Sequence, residues 1–339
     1  MKEAGVQAPP RGCCVRVDGL PSSGGLRIDA RVRKLGLLLC LTALIAACER
    51  ARPAELAQAT SYALARTNGR FVEVNGLRMF AITMGEGRDV VLIHGNPAST
   101  YAWRKVIEPL AARYRVHAID LPGFGFSDKP SGASYETDWL ARHVIGYLDG
   151  AGVERAVLIG NSMGGHVATE TAFLHPGRVS ALVLIGAAGL PQEGELRPPL
   201  SLRMLGWPVV GFVLRALPAR DRVRSKLREA VFDPVQITEA DVDAYYAPLR
   251  SEGGTNAFVA RLRQRVPAER VANVRTIAAP TLVITGDTDR LVPPQNARRY
   301  HELIPGSELL VLEQTGHLPQ EERPERMVAE ITRWVEAHP

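Results

Sequence analysis

The chain has 339 residues, 46% hydrophobic and 23% charged, a balance that suits a folded globular protein able to bury a sizeable core. Its formal charge of +5 is gathered at the N-terminus: residues 1–47 hold seven Lys/Arg against three Asp/Glu, and the rest carries 34 positive against 33 negative groups. So nearly neutral a body excludes nucleic-acid binding by bulk charge, and neither an internal repeat nor a zinc-type Cys/His spacing is present.

All four cysteines, Cys13, Cys14, Cys40 and Cys48, fall in the first 48 residues, so the body uses no disulfides. Arg31, Arg33 and Lys34 precede thirteen mostly apolar residues, Leu35–Ala47. That is short of the about 20 needed to span a bilayer. A basic flank, a short apolar core and small residues at its end predict a secretory signal over 1–47; a buried helix or an uncleaved anchor is the alternative. Residues 1–30, with scattered Gly and Pro and no periodicity, look unlike a targeting region and point to a translation start near Val32. The ending "LIAAC" resembles a bacterial lipobox. That resemblance implies that Cys48 becomes the acylated first residue of a protein lipid-anchored in the bacterial cell envelope. By the same resemblance Glu49 implies the outer membrane rather than the inner. Residues 48–70 read as a tether, helical in part.

From residue 71 strand and helix signals alternate, which predicts a mostly parallel sheet flanked by helices. "FVEVNGLRMFAITMGEG" reads as a leading hairpin turning at Asn75-Gly76. "DVVLIHG", "RVHAIDLPG", "RAVLIGN", "SALVLIGAAG", "PTLVITGD" and "SELLVLEQTG" follow as short buried strands, with helices expected over 98–113, 136–152 and the closing "PERMVAEITRWVEAH". The first core portion is 71–190 and the second 276–339. Between them, 191–275 breaks the rhythm and reads as an inserted helical cap. It holds a dense apolar stretch from Leu200 to Leu214, with Trp207 and Phe212, followed by the basic run "ARDRVRSKLRE". Apolar around its whole circumference, that stretch either packs inside the cap or offers a face to substrate or bilayer.

Four loops at strand ends carry the chemistry. In "GNSMGG" a strand stops at Ser162 among glycines before a helix resumes; alone, this serves a tight turn as well as it serves a nucleophile. An activated serine needs a base, a group to orient the base, and donors for the oxyanion. "GDTDRLVPP" supplies Asp289 and "QTGHLPQEE" supplies His317, each after a later strand and hence on the same sheet edge as Ser162. Singly, Asp289 caps a helix and His317 is a surface histidine. Together and in this order they form a nucleophile, acid and base. Asp289 rather than Asp287 is expected to be the acid. Backbone N–H groups of Met163, after the nucleophile, and Asn96, in "HGNPAST", are the candidate oxyanion donors.

With "HGNP", "DLPGFGFSDKP", "GNSMGG", "GDTDRLVP" and "GHLPQEERPE", the chain from about 71 to 338 resembles the α/β-hydrolase superfamily. "GNSMGG" followed by "PTLVITGD" is similar to bacterial lipases and carboxylesterases, and also to carbon–carbon bond hydrolases of aromatic degradation. "HGNPAST" resembles haloalkane dehalogenases, but those enzymes and the related epoxide hydrolases attack with an aspartate where Ser162 stands, so that reading is dropped. The resemblance implies a lipid-anchored serine hydrolase of carboxylic esters acting through an acyl-enzyme, on a small-molecule or lipid ester, without metal or organic cofactor. The alternatives are a carbon–carbon hydrolase of dienoic keto acids, whose anionic substrates favour a basic group in the cap cavity, and a non-catalytic binding protein or envelope scaffold of the same fold. Oligomeric state is not legible in the sequence.

Overall fold

The computed structural model describes residues 62–191 and 220–339, together with 52, 53, 55 and 60. The signal region 1–47, the lipidation candidate Cys48 and the apolar interval from Leu200 to Leu214 lie outside the described residues. Among the described residues no helix is long and apolar enough to cross a membrane.

Helix α1 (Ala63–Asn68) leads into a hairpin of β1 (Gly69–Val74) and β2 (Leu77–Met84). Asn75 and Gly76 both have positive φ, 51° and 79°, as a two-residue turn matched to strand twist requires. The fold therefore begins before residue 71. Tyr62 and Ala65 are buried, and Tyr62 lies edge-on to Tyr101. The polar Arg66, Thr67 and Asn68 beside them gave this stretch the look of a linker.

Strands β3 (Asp89–Ile93), β4 (Arg115–Ile119), β5 (Ala156–Asn161), β6 (Val179–Ile185), β7 (Thr281–Gly286) and β8 (Glu308–Leu312) complete a sheet of order β1-β2-β4-β3-β5-β6-β7-β8. Only β2 runs against its neighbours β1 and β4; every later pair is parallel. Every residue of β5 and β7 is buried, which is why both read as unbroken apolar runs rather than alternations.

Helices cover both faces. The segment 98–113 is not one helix but a 3-10 turn, Thr100–Trp103, and a short α2 (Ile107–Ala111). Pro109 has no N–H to donate to the carbonyl of Lys105 four residues back, so it sits in the first turn of α2 and the helix does not extend back through Lys105. On one face α3 (Thr137–Gly150) and α4 (Met163–Leu174) bury Tyr147, Leu148 and Val167. The other face packs Trp103, Leu110 and Trp334.

Between β6 and β7 the described chain is helical, in α5 (Arg220–Ala230), α6 (Glu239–Arg250), α7 (Gly254–Leu262) and α8 (Arg270–Arg275). Val223, Leu227, Val242 and Tyr245 form an apolar cluster that also takes in Ala102 and Leu318 of the sheet portion. The basic run of α5 is no binding patch by default, because Arg220 and Arg224 both pair with Glu239 of α6. The chain closes with α9 (Pro294–Leu303), α10 (Pro319–Glu322) and α11 (Pro324–Ala337).

Candidate active site

Ser162 stands between β5 and α4 at φ 56°, ψ −116°, a backbone region that L-residues rarely occupy. The strain sits on the serine and not on its glycines: Gly160, Gly164 and Gly165 have ordinary φ. Those glycines are needed for space. A Cβ on Gly164 would collide with the Ile93 carbonyl, and one on Gly160 with the Gly164 backbone, so α4 starts hard against β3 and β5. The Ser162 N–H donates to the Ile185 carbonyl at 2.9 Å, and its own carbonyl accepts from Ala188 N–H at 3.0 Å, which pins the turn to β6.

Asp289 follows β7 and His317 follows β8; each is 5% exposed. His317 Nδ1 donates to Asp289 Oδ2 at 2.7 Å, leaving Nε2 as the nitrogen able to take a proton. The second carboxylate oxygen of Asp289 accepts from Leu291 and Val292 N–H at 2.9 and 2.8 Å, so the acid is fixed from both sides. Asp287 is exposed and accepts from Thr315 N–H at 3.2 Å, away from the imidazole. A Cβ on Gly186 would approach Asp289 Oδ2 to 3.0 Å and His317 Nδ1 to 3.1 Å, so the end of β6 passes directly beside the pair.

Asn161 joins the halves of the site. Its Nδ2 donates to the carbonyls of Ile185 and His317, both at 3.1 Å, tying the residue before the nucleophile to the loop of the base. Gly95 brings the loop after β3 close, since a Cβ there would lie 3.2 Å from Ser162 Cβ. Asn96 follows it, and Met163 is the first residue of α4. Neither N–H enters a backbone hydrogen bond outside regular elements among the described residues, as oxyanion donors require.

Three polar residues that the sequence reading passed over hold these loops, His94 and Asp120 buried and Lys129 half-buried. His94 Nδ1 donates to the Gly95 carbonyl at 2.7 Å and its Nε2 accepts from Leu121 N–H at 3.1 Å; burial pushes its pKa down to about 4, so the ring is neutral. Asp120 accepts from Thr100 N–H at 2.6 Å and Phe126 N–H at 2.7 Å, with burial raising its pKa to about 6. Lys129 donates to the carbonyls of Gly125 and Ser127, and burial lowers it to about 8. All three lie in the quoted "HGNP" and "DLPGFGFSDKP" motifs, where a polar residue beside a buried strand was the available signal.

The cap closes over the Asn96 loop. Pro97, Ala98 and Phe124 of the sheet portion face Tyr245, Leu249 and Phe258 of α6 and α7 around one cavity. One turn beyond Phe258, Arg261 reaches the core, its guanidinium 3.1 Å from His166 Nδ1 and 3.2 Å from Thr137 Oγ1. It has no carboxylate partner among the described residues, its Nε is buried without an acceptor, and burial lowers its pKa to about 10. His166 lies on α4 one helical turn after Ser162, so this positive charge sits at the seam of cap and core. Among the described residues no cluster of His, Cys, Asp and Glu could hold a metal ion.

A family profile described as alpha/beta hydrolase fold matches residues 90–324. A 2-hydroxy-6-oxo-6-(2'-aminophenyl)hexa-2,4-dienoic acid hydrolase of Metapseudomonas resinovorans is 31% identical over 266 residues, 76% of this chain and 87% of that protein. The solved structure of a meta-cleavage product hydrolase from Pseudomonas fluorescens IP01 is 28% identical with a TM-score of 0.67, covering 79% of this chain and 98% of that one. A membrane phospholipase A, described as a bacterial virulence factor, is 27% identical at a TM-score of 0.67 and covers 91% of this chain and 98% of its own. Sheet order, elbow serine and the matched profile agree: the chain belongs to the α/β-hydrolase family.

Proposed function

We propose that this hydrolase cleaves a carbon–carbon bond in an acidic dienoic ketone of the ring-cleavage type, with Ser162, His317 and Asp289 as its catalytic triad. The observation that carries the reading is likeness to a dienoic acid hydrolase along 87% of that protein's length. Arg261 supports it, because a half-buried guanidinium without a carboxylate partner among the described residues suits a substrate that brings one. The ester hydrolase, the main expectation from sequence, thus becomes the second reading.

The chemistry follows from the groups present. His317 takes the Ser162 proton as the serine oxygen adds to the 6-oxo carbon, and the N–H groups of Asn96 and Met163 face the resulting oxyanion. The bond between the 6-oxo carbon and its chain neighbour breaks with its electron pair on the chain. That is tolerable once the dienol has ketonised, because the charge delocalises into the 2-oxo acid. His317 returns its proton to that carbon, and water attacks the acyl-Ser162 to release the second carboxylic acid. Asp289 holds the imidazole tautomer throughout.

Ester hydrolysis on a lipid-anchored protein remains the second reading, favoured by the 91% of this chain that a membrane phospholipase A spans, against 79% for the ring-cleavage hydrolase. The same serine machinery serves both, so the substrate decides. Specificity constants for 2-hydroxy-6-oxo-6-phenylhexa-2,4-dienoic acid and for nitrophenyl esters of rising acyl length separate them. The proposal expects the acid to exceed every ester and Arg261→Met to weaken the acid alone. Ester turnover that rises with chain length while the acid is untouched would reverse the order. For the anchor, Cys48→Ser protein should leave the membrane fraction; pelleting in high salt would refute acylation at Cys48.

A further inference from the structure

We propose that Glu322 is a positioning residue for His317, and that it acts by fastening the histidine loop to the cap. Glu322 lies in α10, five residues past the histidine, and is 8% exposed. One oxygen accepts from Gly316 N–H at 2.9 Å, immediately before His317. The other accepts from Phe232 N–H at 2.7 Å, just past the end of α5 in the cap. A single carboxylate thus bridges the two segments, and its acceptors are backbone-bound on both sides.

The contact it fastens is intimate. His317 N–H donates to the Ala230 carbonyl at 2.6 Å, so the catalytic residue's own backbone rests on the last turn of α5. Gly316 has no side chain at the crossing, where a Cβ would run into the Ala230 carbonyl and approach Val231 Cα to 2.8 Å. From the opposite side Asn161 holds the His317 carbonyl and Asp289 holds the ring. Removing the Glu322 bridge takes away the carboxylate tie between this loop and the cap and leaves the His317–Ala230 contact without it.

The neighbouring Glu321 shows that α10 is a docking element. It pairs with Arg104 at 2.6 Å and accepts from the Tyr245 hydroxyl of α6, while Arg104 also holds Asp241 at 2.6 Å. Glu322 differs in making no ion pair among the described residues. Its anionic form is held by N–H donors, with the neighbouring charge of Arg323 adding to them, against a burial that raises its pKa. A carboxylate offers acceptors to both donors, whereas an amide would turn an NH₂ toward one of them.

The inference rests on the triad but not on the substrate. Phosphonylation of Ser162 by a fluorophosphonate therefore tests it without a natural substrate. In Glu322→Gln the rate constant should fall about 10- to 100-fold, the scale of a misplaced catalytic group. The fraction of folded molecules sets only the amplitude of labelling, so a parent rate constant at reduced amplitude would make Glu322 merely structural and overturn the proposal. If that variant does not fold, Phe232→Pro deletes the cap-side donor alone: slowed labelling supports the bridge, an unchanged rate constant overturns it. An unreactive parent protein would overturn triad and inference together, whereas failure on dienoic acids touches only the substrate reading.

Discussion

Ser162 at φ 56° carries strain that the surrounding glycines accommodate without sharing, and residue-scale expectations follow from such individual assignments. Among the described residues Asp289 is the carboxylate that reaches the imidazole, so Asp289→Asn, which offers His317 the wrong tautomer, should lower kcat by about 10⁴. Asp287→Asn should stay near the parent in the same steady-state assay, and the reverse ranking would reassign the acid. His94 makes a stability prediction with a definite sign. Its folded pKa is depressed from 6.5 to about 4 by burial, so the unfolded chain takes up the proton first as pH falls. Its contribution is complete above the unfolded value and is lost as pH drops from 6.5 through about 4. The loss is on the order of 3 kcal/mol, at about 1.4 per pKa unit. Urea midpoints between neutral and acid pH should fall over this window in the parent and fall less in His94→Gln, measured relative to each protein's own neutral value.

Elements were legible where burial and turn chemistry agreed. The hairpin at Asn75-Gly76 and the six later strands stand where the apolar runs placed them, because positive φ and two-sided burial leave plain marks. Reading failed where a mark is ambiguous. Pro109 was compatible with a helix start inside a longer predicted helix, and Tyr62 with Ala65 disappeared among polar neighbours. The pairing of Asp289 with His317 was readable from loop motifs, whereas the polar residues that hold the loops, His94, Asp120 and Asn161, were not: a polar residue inside a sequence does not announce its hydrogen-bond partners. Close approach of elements gives a further test. Gly164→Ala pushes a methyl into the Ile93 carbonyl and should lower stability by about 1–3 kcal/mol, read as a fall in thermal midpoint, with activity lost as the elbow shifts. An unchanged midpoint would mean that α4 does not start so close to β3. Arg104→Met strands Asp241 and Glu321 without their cation, so it should destabilise the protein by about 3–5 kcal/mol. A smaller loss in urea unfolding would mean that water reaches the cluster.

For the whole molecule, the α/β-hydrolase fold was readable at a distance because strand order forces the loops after β3, β5, β7 and β8 to one edge, where Asn96, Ser162, Asp289 and His317 are brought together. Substrate was not readable, since a serine triad of the proposed kind serves esters and activated ketones alike. The guanidinium of Arg261, with no carboxylate partner among the described residues, emerges only when α7 is laid against His166 and Thr137. The central claim is that Ser162 attacks the substrate, and it is tested most directly by following loss of the dienoic acid chromophore with parent and Ser162→Ala proteins. The account predicts measurable turnover by the parent and a loss of roughly 10⁶ in kcat for a correctly folded variant, the cost of deleting a serine nucleophile. Retention by Ser162→Ala of more than about a tenth of parental turnover would contradict it, because an oxyanion hole and binding alone supply far less.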